Sequence, residues 1–225
     1  MRNFLMIDTE TFGFERTLYE YGFTMVRKGS VIATRSYLVT ENLENAENHF
    51  QQKGNFPKWF PDRIAKDFDA YWDKSFSRDK VVSAIVDSIE YARKNKLKII
   101  AKNPGFDIPV IEQFLGTAFF QHEEVFDMQR MLVNTLPKKY AFYVPYTKSG
   151  LATFRADYLV PFILGDKFVQ THDAGGDSLN QSLIVLKLAK RKKRYSDSGK
   201  VYEYMRDFHA KYDIPLYSGT GFLPE

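Results

Sequence analysis

The stretch Met6-Ile7-Asp8-Thr9-Glu10 decides how this chain is read. Residues Asn3 to Asp8 are dominated by apolar side chains and read as a buried strand, followed by the turn-prone Thr11, Phe12 and Gly13. Residues two apart on a strand point to the same side, so Asp8 and Glu10 leave the strand end as neighbouring carboxylates. Two such charges side by side are unfavourable unless a cation neutralises them. Hard carboxylate oxygens suit Mg²⁺ or Mn²⁺, and the end of a strand in an α/β sheet is where ligands usually sit.

Two later segments carry matching chemistry. Asn103-Pro104-Gly105-Phe106-Asp107 follows a short apolar strand, Leu97 to Ala101, and puts Asp107 where a strand gives way to a helix. That position suits either a ligand projecting over the sheet end or a simple helix cap. His172-Asp173-Ala174-Gly175-Gly176-Asp177 opens the last strong helix. Five residues of helix rotate by about 140°, so His172 and Asp177 share a site only if His172 lies in the loop before the helix. Gly175 and Gly176 make that geometry easy; the alternative for His172 is a surface loop histidine.

Outward from these motifs, Leu18 to Arg27 and Val31 to Thr40 read as a hairpin around Lys28 and Gly29. Val81, Ile85, Ile89 and Ala92 recur at helical spacing and predict an amphipathic helix ending near Asn95. Further helices are expected over Asp107 to Phe120 and Leu151 to Leu164, with a short strand at Val125 to Phe126 between them. Leu179, Leu183, Leu186 and Leu188 mark a final strong helix. The polar stretch Glu41 to Ser77, with one helix expected after Pro61, is too long for an ordinary connection. Strands, a hairpin and then alternating helices and strands describe an α/β sheet with helices on its faces.

Composition excludes much else. The 225 residues are 44% hydrophobic and 27% charged, as in an ordinary globular chain, and of a size to build one core without staples. Zero cysteines remove thiol nucleophiles, zinc–cysteine sites and iron–sulfur clusters. The longest apolar run, Tyr158 to Leu164, falls far short of the roughly 20 residues of a membrane span. The run Phe4 to Ile7 ends at Asp8, too soon for a signal peptide, so a cytoplasmic location without membrane contact is expected.

The net charge of +4 is unevenly spread. Residues 187 to 206 hold eight Lys and Arg against Asp197 and Glu203, a charge of +6, which leaves −2 on the other 205 residues. Such a cluster, with Lys190, Arg191, Lys192, Lys193 and Arg194 at its centre, either tracks phosphates or is a solvated helix end. The 20 Phe and 14 Tyr suit stacking of unpaired bases. Phe12, Phe14 and Phe106 border the motifs and are the candidates for base contact against plain packing, while Trp59 and Phe60 are candidates for a rim over the nucleic acid, with loop anchoring as the alternative.

Asp-x-Glu, then Asn-x-x-Phe-Asp about a hundred residues on, then His-x-Ala-x-x-Asp resembles the DEDDh subgroup of the DnaQ-like 3′–5′ exonuclease superfamily, over residues 1 to 190. The resemblance implies a ribonuclease H-like three-layer α/β fold, a central mixed five-stranded sheet flanked by helices. Long segments near 41–77 and 137–150 are expected as insertions, and 191–225 as a basic helical extension and loose tail. Lys102, where the family often has His, and the Gly175-Gly176 pair depart from its pattern.

By the same resemblance, two Mg²⁺ or Mn²⁺ ions are held by Asp8, Glu10, Asp107 and Asp177. Asp8 would bridge them, Glu10 and Asp177 complete the first site, and Asp107 hold the second. His172 is the implied general base, with Asp127 a supporting acid. Thr9, Thr11, Phe12, Asn103 and Phe106 beside these acids, with Lys190, Arg191 and Lys192 of the basic cluster, are the candidate substrate contacts. The expected activity releases nucleoside 5′-monophosphates from the 3′ end of single-stranded or frayed DNA. The alternatives are an exoribonuclease of the oligoribonuclease or ribonuclease T type and an idle nucleic-acid-binding domain. The last predicts missing carboxylates, and all are present. The partner is therefore nucleic acid, with DNA favoured over RNA. A proofreading role needs a polymerase partner in trans.

Overall fold

A computed structural model describes residues 2–53, 75–121, 124–132, 156–165, 167–168 and 170–190. The chain divides into two compact units, one of residues 1–126 and 171–182, the other of 127–170 and 183–225. Phe4–Phe12 (β1), Thr17–Arg27 (β2) and Ser30–Val39 (β3) open the first unit, followed by helix Thr40–Lys53 (α1) and Ser75–Phe76 (β4). Helix Arg78–Lys94 (α2), Lys98–Ala101 (β5), helix Pro104–Leu115 (α3) and Val125–Asp127 (β6) come next. Helix Ala156–Leu164 (α4) lies in the second unit, and helix Ala174–Lys190 (α5) begins in the first and continues into the second.

The strands form one mixed sheet in the order β4-β3-β2-β1-β5-β6. It has six strands where five are expected, because Ser75 and Phe76 pair in parallel with Leu38 and Val39 at the β3 edge. So short a strand has no alternation of its own to read. β1 pairs antiparallel with β2 and parallel with β5, and Phe4 to Ile7 are fully buried, as a central strand covered on both faces requires. The hairpin expected at Lys28-Gly29 is present. Both residues have positive φ, 51° and 81°, the backbone of a two-residue turn whose twist matches its strands.

Register divides the sheet into two faces. Leu5 and Ile7 of β1 share one with Tyr21, Phe23 and Met25 of β2, and α2 and α3 cover it. Val81, Ile85, Ile89 and Ala92 of α2 all point into this core, as their spacing predicts, and Ser88 meets the Tyr21 hydroxyl at 2.8 Å. α3 begins at Asn103 with Pro104 in its first turn and ends earlier than the expected Phe120. Gly116, at φ 74°, stops it by taking the left-handed conformation that a helix end favours.

Met6, Asp8 and Glu10 share the other face with Thr24, Gly22 and Glu20, and the start of α5 lies on it. Ser178 of α5 meets Thr24 at 3.0 Å, and Thr24 meets Thr34 of β3 at 3.1 Å, a line of buried hydroxyls joining helix to sheet. α1 occupies part of the 41–77 segment; among its described side chains Leu43 and Ala46 are buried, and Asn42 donates to the Leu18 carbonyl at 2.6 Å.

In the second unit, Leu159, Val160 and Ile163 of α4 and Ile184, Val185 and Leu188 of α5 are buried. Asp127 caps a helical segment that starts at 128, accepting a 3.1 Å hydrogen bond from the Arg130 amide. No helix among the described residues is long and apolar enough to cross a membrane. The helix expected after Pro61, the 137–150 insertion, the basic run from Arg191, the 191–225 extension and the Trp59–Phe60 rim lie outside the described residues.

Candidate metal centre

Asp8 and Glu10 extend past the last β1–β5 pair, Ile7 with Ala101, so both carboxylates stand at the end of the parallel strands. Between Glu10 and Thr11 the register with β2 slips by one residue, a bulge in which Tyr19 is the extra residue of β2. Asp177 arrives from the first turn of α5. Each of Asp8, Glu10 and Asp177 offers a carboxylate oxygen, and these oxygens lie within 4.8 Å of one another. Opposite ligands around Mg²⁺ are separated by about 4.2 Å, so small side-chain adjustments would let the three share a cation. An all-carboxylate donor set is the chemistry a hard divalent ion needs, and the residues fit one.

Backbone packing explains why α5 comes so close. Gly22 is the register partner of Asp8, and a Cβ built on it would lie 2.1 Å from the Ala174 carbonyl carbon. Gly175 sits over the next strand, where a Cβ would meet that of Ser36 at 3.0 Å. Gly176 leaves room for Thr171 and for Asp173, whose carboxylate caps α5 by accepting from the Gly176 amide. The Gly175-Gly176 departure from the family pattern is thus how this helix start fits against the sheet.

Asp107 reaches the same end from α3. Its Oδ1 accepts a 2.8 Å hydrogen bond from the Thr9 hydroxyl, which occupies a side chain expected to face substrate. Asp107 is 4% exposed, and burial raises its pKa to about 6, against the Thr9 and Asn103 hydrogen bonds and the Lys102 charge. The Asp8 carboxyl is pushed well above the ordinary carboxylate range by burial first, then by the charges of Asp107, Asp177 and Glu10. The burial of Asp8 and the negative charges around it make an electrostatic sink that a divalent cation would relieve.

The remaining expected residues are placed as follows. His172 precedes α5 by two residues, in the loop position that sharing a site with Asp177 demands, and its φ of 54° is left-handed. Thr171 donates to Asp177 Oδ1 through its amide at 3.2 Å and its hydroxyl at 3.3 Å. Thr11 and Phe12 end β1 half-buried, Asn103 is the exposed residue before α3, and Phe14 is 93% exposed in the turn after β1. Phe106 packs partly against the core, and the Arg16 guanidinium lies 4.9 Å from its ring centre. Lys190 ends α5, while Arg191 and Lys192 lie outside the described residues.

Gln181 is a residue that motif reading misses: its Nε2 donates to Asp8 Oδ1 at 2.9 Å. The available signal was its spacing, four residues after Asp177 and therefore on the same helix face. Glu20, the register partner of Glu10, is buried with Ser36 donating to it, and was equally invisible before strand pairing was known.

A mixed sheet with helices on both faces and carboxylates gathered at one strand end defines an α/β protein of the ribonuclease H-like fold. Solved structures that the chain is similar to share it. S. pombe Pop2p, in its Mg²⁺- and Mn²⁺-bound form, aligns with a TM-score of 0.54 at 11% identity, covering 85% of this chain and 84% of Pop2p. Exonuclease I in its apo form aligns with a TM-score of 0.53 at 15% identity over 95% of this chain. The chain spans 46% of the Exonuclease I chain. At these identities the likeness establishes the fold. No family model matches the sequence, and no curated protein matches it.

Proposed function

We propose that the protein is a metal-dependent 3′–5′ exonuclease that shortens single-stranded or frayed DNA from its 3′ end and releases nucleoside 5′-monophosphates. The observation that carries this reading is the meeting of Asp8, Glu10 and Asp177 within 4.8 Å at the end of β1. Pop2p has the same fold and is described with Mg²⁺ and Mn²⁺ bound, and Exonuclease I is named for exonuclease action, which supports the same reading.

When bound, a pair of Mg²⁺ or Mn²⁺ ions supplies the positive charge that lets an anionic nucleophile approach an anionic phosphodiester. Asp8, Glu10 and Asp177 would hold one ion, and Asp8 with Asp107 the other. The chain's own groups do the rest. His172, on a loop that frees its ring from the helix, takes the proton from the attacking water. Glu10 and the backbone beside Thr9 meet the terminal 3′-hydroxyl, which restricts cleavage to an end. Phe12, Phe14 and Phe106 with Arg16 offer flat apolar and cationic surfaces for the last bases, and Asn103 a polar contact. Lys190, Arg191 and Lys192 track phosphates further along the strand.

The test is hydrolysis of 5′-labelled oligonucleotides with and without Mg²⁺ or Mn²⁺. The proposal expects a ladder of products shortened from the 3′ end, formed only with metal and blocked by a 3′-phosphate. Cleavage that survives exhaustive chelation, or internal cuts on a blocked strand, would overturn it. Preference for an RNA oligomer of the same sequence would keep the chemistry and replace the substrate.

A further inference from the structure

Each of three acids at the centre is held by a neutral donor: Asp107 by Thr9, Asp177 by Thr171 and Asp8 by Gln181. Neutral donors orient a carboxylate without spending its charge on a cationic side chain, which leaves that charge for a bound ion. The Gln181 contact is the longest in sequence of the three and ties α5 to β1 at the most crowded acid.

We propose that Gln181 is the positioning residue for Asp8, fixing the plane of its carboxylate so that the group is preset to bind a divalent cation. The inference rests on the metal-centre reading above. Three observations carry it. Gln181 Nε2 lies 2.9 Å from Asp8 Oδ1, and the carboxamide nitrogen is its only donor, so the amide orientation is determined by the contact. Gln181 follows Asp177 by one helical turn, so one rigid element delivers both a ligand and the group that aims the facing ligand.

The third observation is energetic. Gln181 is 2% exposed, and its Oε1 is buried with no hydrogen-bond partner among the described residues. Leaving a buried acceptor unsatisfied is destabilising, and a Leu or Met would fill the same space without that cost. An amide at 181 is therefore explained by what its nitrogen does. Without that donor, repulsion from Glu10, Asp107 and Asp177 would turn the Asp8 carboxylate away from the common point. Outer-shell partners of this kind typically change metal affinity 10- to 100-fold.

The experiment compares wild type with Gln181→Met, which keeps volume and loses the donor, and Gln181→Asn, which keeps the amide and loses the reach. Mn²⁺ affinity is measured by calorimetric titration of the full chain, and the melting temperature is measured in EDTA. The expected result in both variants is Mn²⁺ binding weakened about 10- to 100-fold, and in Gln181→Met, which leaves no buried polar group at 181, a metal-free melting temperature no lower than wild type. Any lost nuclease rate should return as Mn²⁺ is raised, because the ligands themselves are intact. Wild-type Mn²⁺ affinity in both variants would overturn the inference. So would a loss of affinity in Gln181→Met matched by a fall in its metal-free melting temperature, since that is what a merely structural role predicts. A wild type that binds no Mn²⁺ would overturn the metal-centre reading itself, and this inference with it.

Discussion

Gly22 of β2 lies against the Ala174 backbone so closely that a Cβ at 22 would come 2.1 Å from the Ala174 carbonyl carbon and 2.3 Å from its oxygen. The same glycine is the register partner of Asp8, so the gap it leaves in the sheet surface is where α5 lands and where Asp177 and Gln181 gain access to Asp8. A missing side chain on one strand thus sets the position of a ligand 155 residues later in the chain.

Gly22→Ala should therefore be among the costliest single-methyl additions in the molecule. Both atoms in the clash are backbone, so α5 must shift, and a loss of about 2 to 4 kcal/mol in urea denaturation is expected together with lost metal binding. Gly116→Ala is the control, because nothing lies within 4 Å of its Cβ and only its φ of 74° resists the change. It should cost about 1 kcal/mol and leave metal binding alone. Equal effects of the two would contradict the packing argument.

Asp8→Asn should abolish exonuclease turnover and raise the melting temperature of the metal-free protein. The first effect follows from removing the acid assigned to both ions, and the second from removing the burial cost and the charge repulsion that raise its pKa. Calorimetry in EDTA beside an activity assay measures both. Wild-type activity in a preparation free of other nucleases would refute the assignment.

The metal-free protein should lose stability as pH rises through the range set by Asp107. Its pKa is about 6 when folded against an ordinary 3.8, so between these values the unfolded chain is already ionised while the folded chain still holds the proton. Stability is then full below about pH 4 and is lost progressively up to about pH 6, by on the order of 3 kcal/mol. Asp107→Asn keeps an acceptor for Thr9 and should remove that part of the pH dependence. Urea titrations of both proteins at pH 4 to 7 in EDTA test this; parallel curves would sink it.

His172 should be separable into a backbone role and a chemical one. His172→Gly suits the left-handed φ of 54° and should fold at least as well as wild type, whereas His172→Ala retains the conformational strain. Both should lower kcat by about 10² to 10⁴ if the ring is the general base, with Mn²⁺ affinity unchanged. A glycine variant of wild-type rate would return His172 to the class of surface residues.

Much of the fold was legible because short-range geometry dictates it. Apolar Phe4 to Ile7, the Lys28-Gly29 turn and the Val81-Ile85-Ile89-Ala92 spacing each encode their element within a few residues. α1 carries no clear periodic signal because its sequence is mostly polar, with Leu43 and Ala46 buried among its described side chains, and β4 carries none because two residues become a strand only by pairing with β3. α3 was expected to run to Phe120 since Gly116 interrupts no hydrophobic pattern. It ends there because glycine takes the left-handed cap most easily.

At the centre, the sequence by itself determined the chemistry: the identity of the acids, and the same-side placement of Asp8 and Glu10, which follows from strand geometry over three residues. The family resemblance implied that Asp177 joins them; only the tertiary structure decided that Thr9 turns its hydroxyl to Asp107 and that Gln181 holds Asp8. Those contacts join residues about 100 to 170 positions apart, and a chain carries no local signal for a neighbour that far away. They exist because β1, α3 and α5 converge on one strand end, and because Gly22 leaves the space in which α5 can settle there.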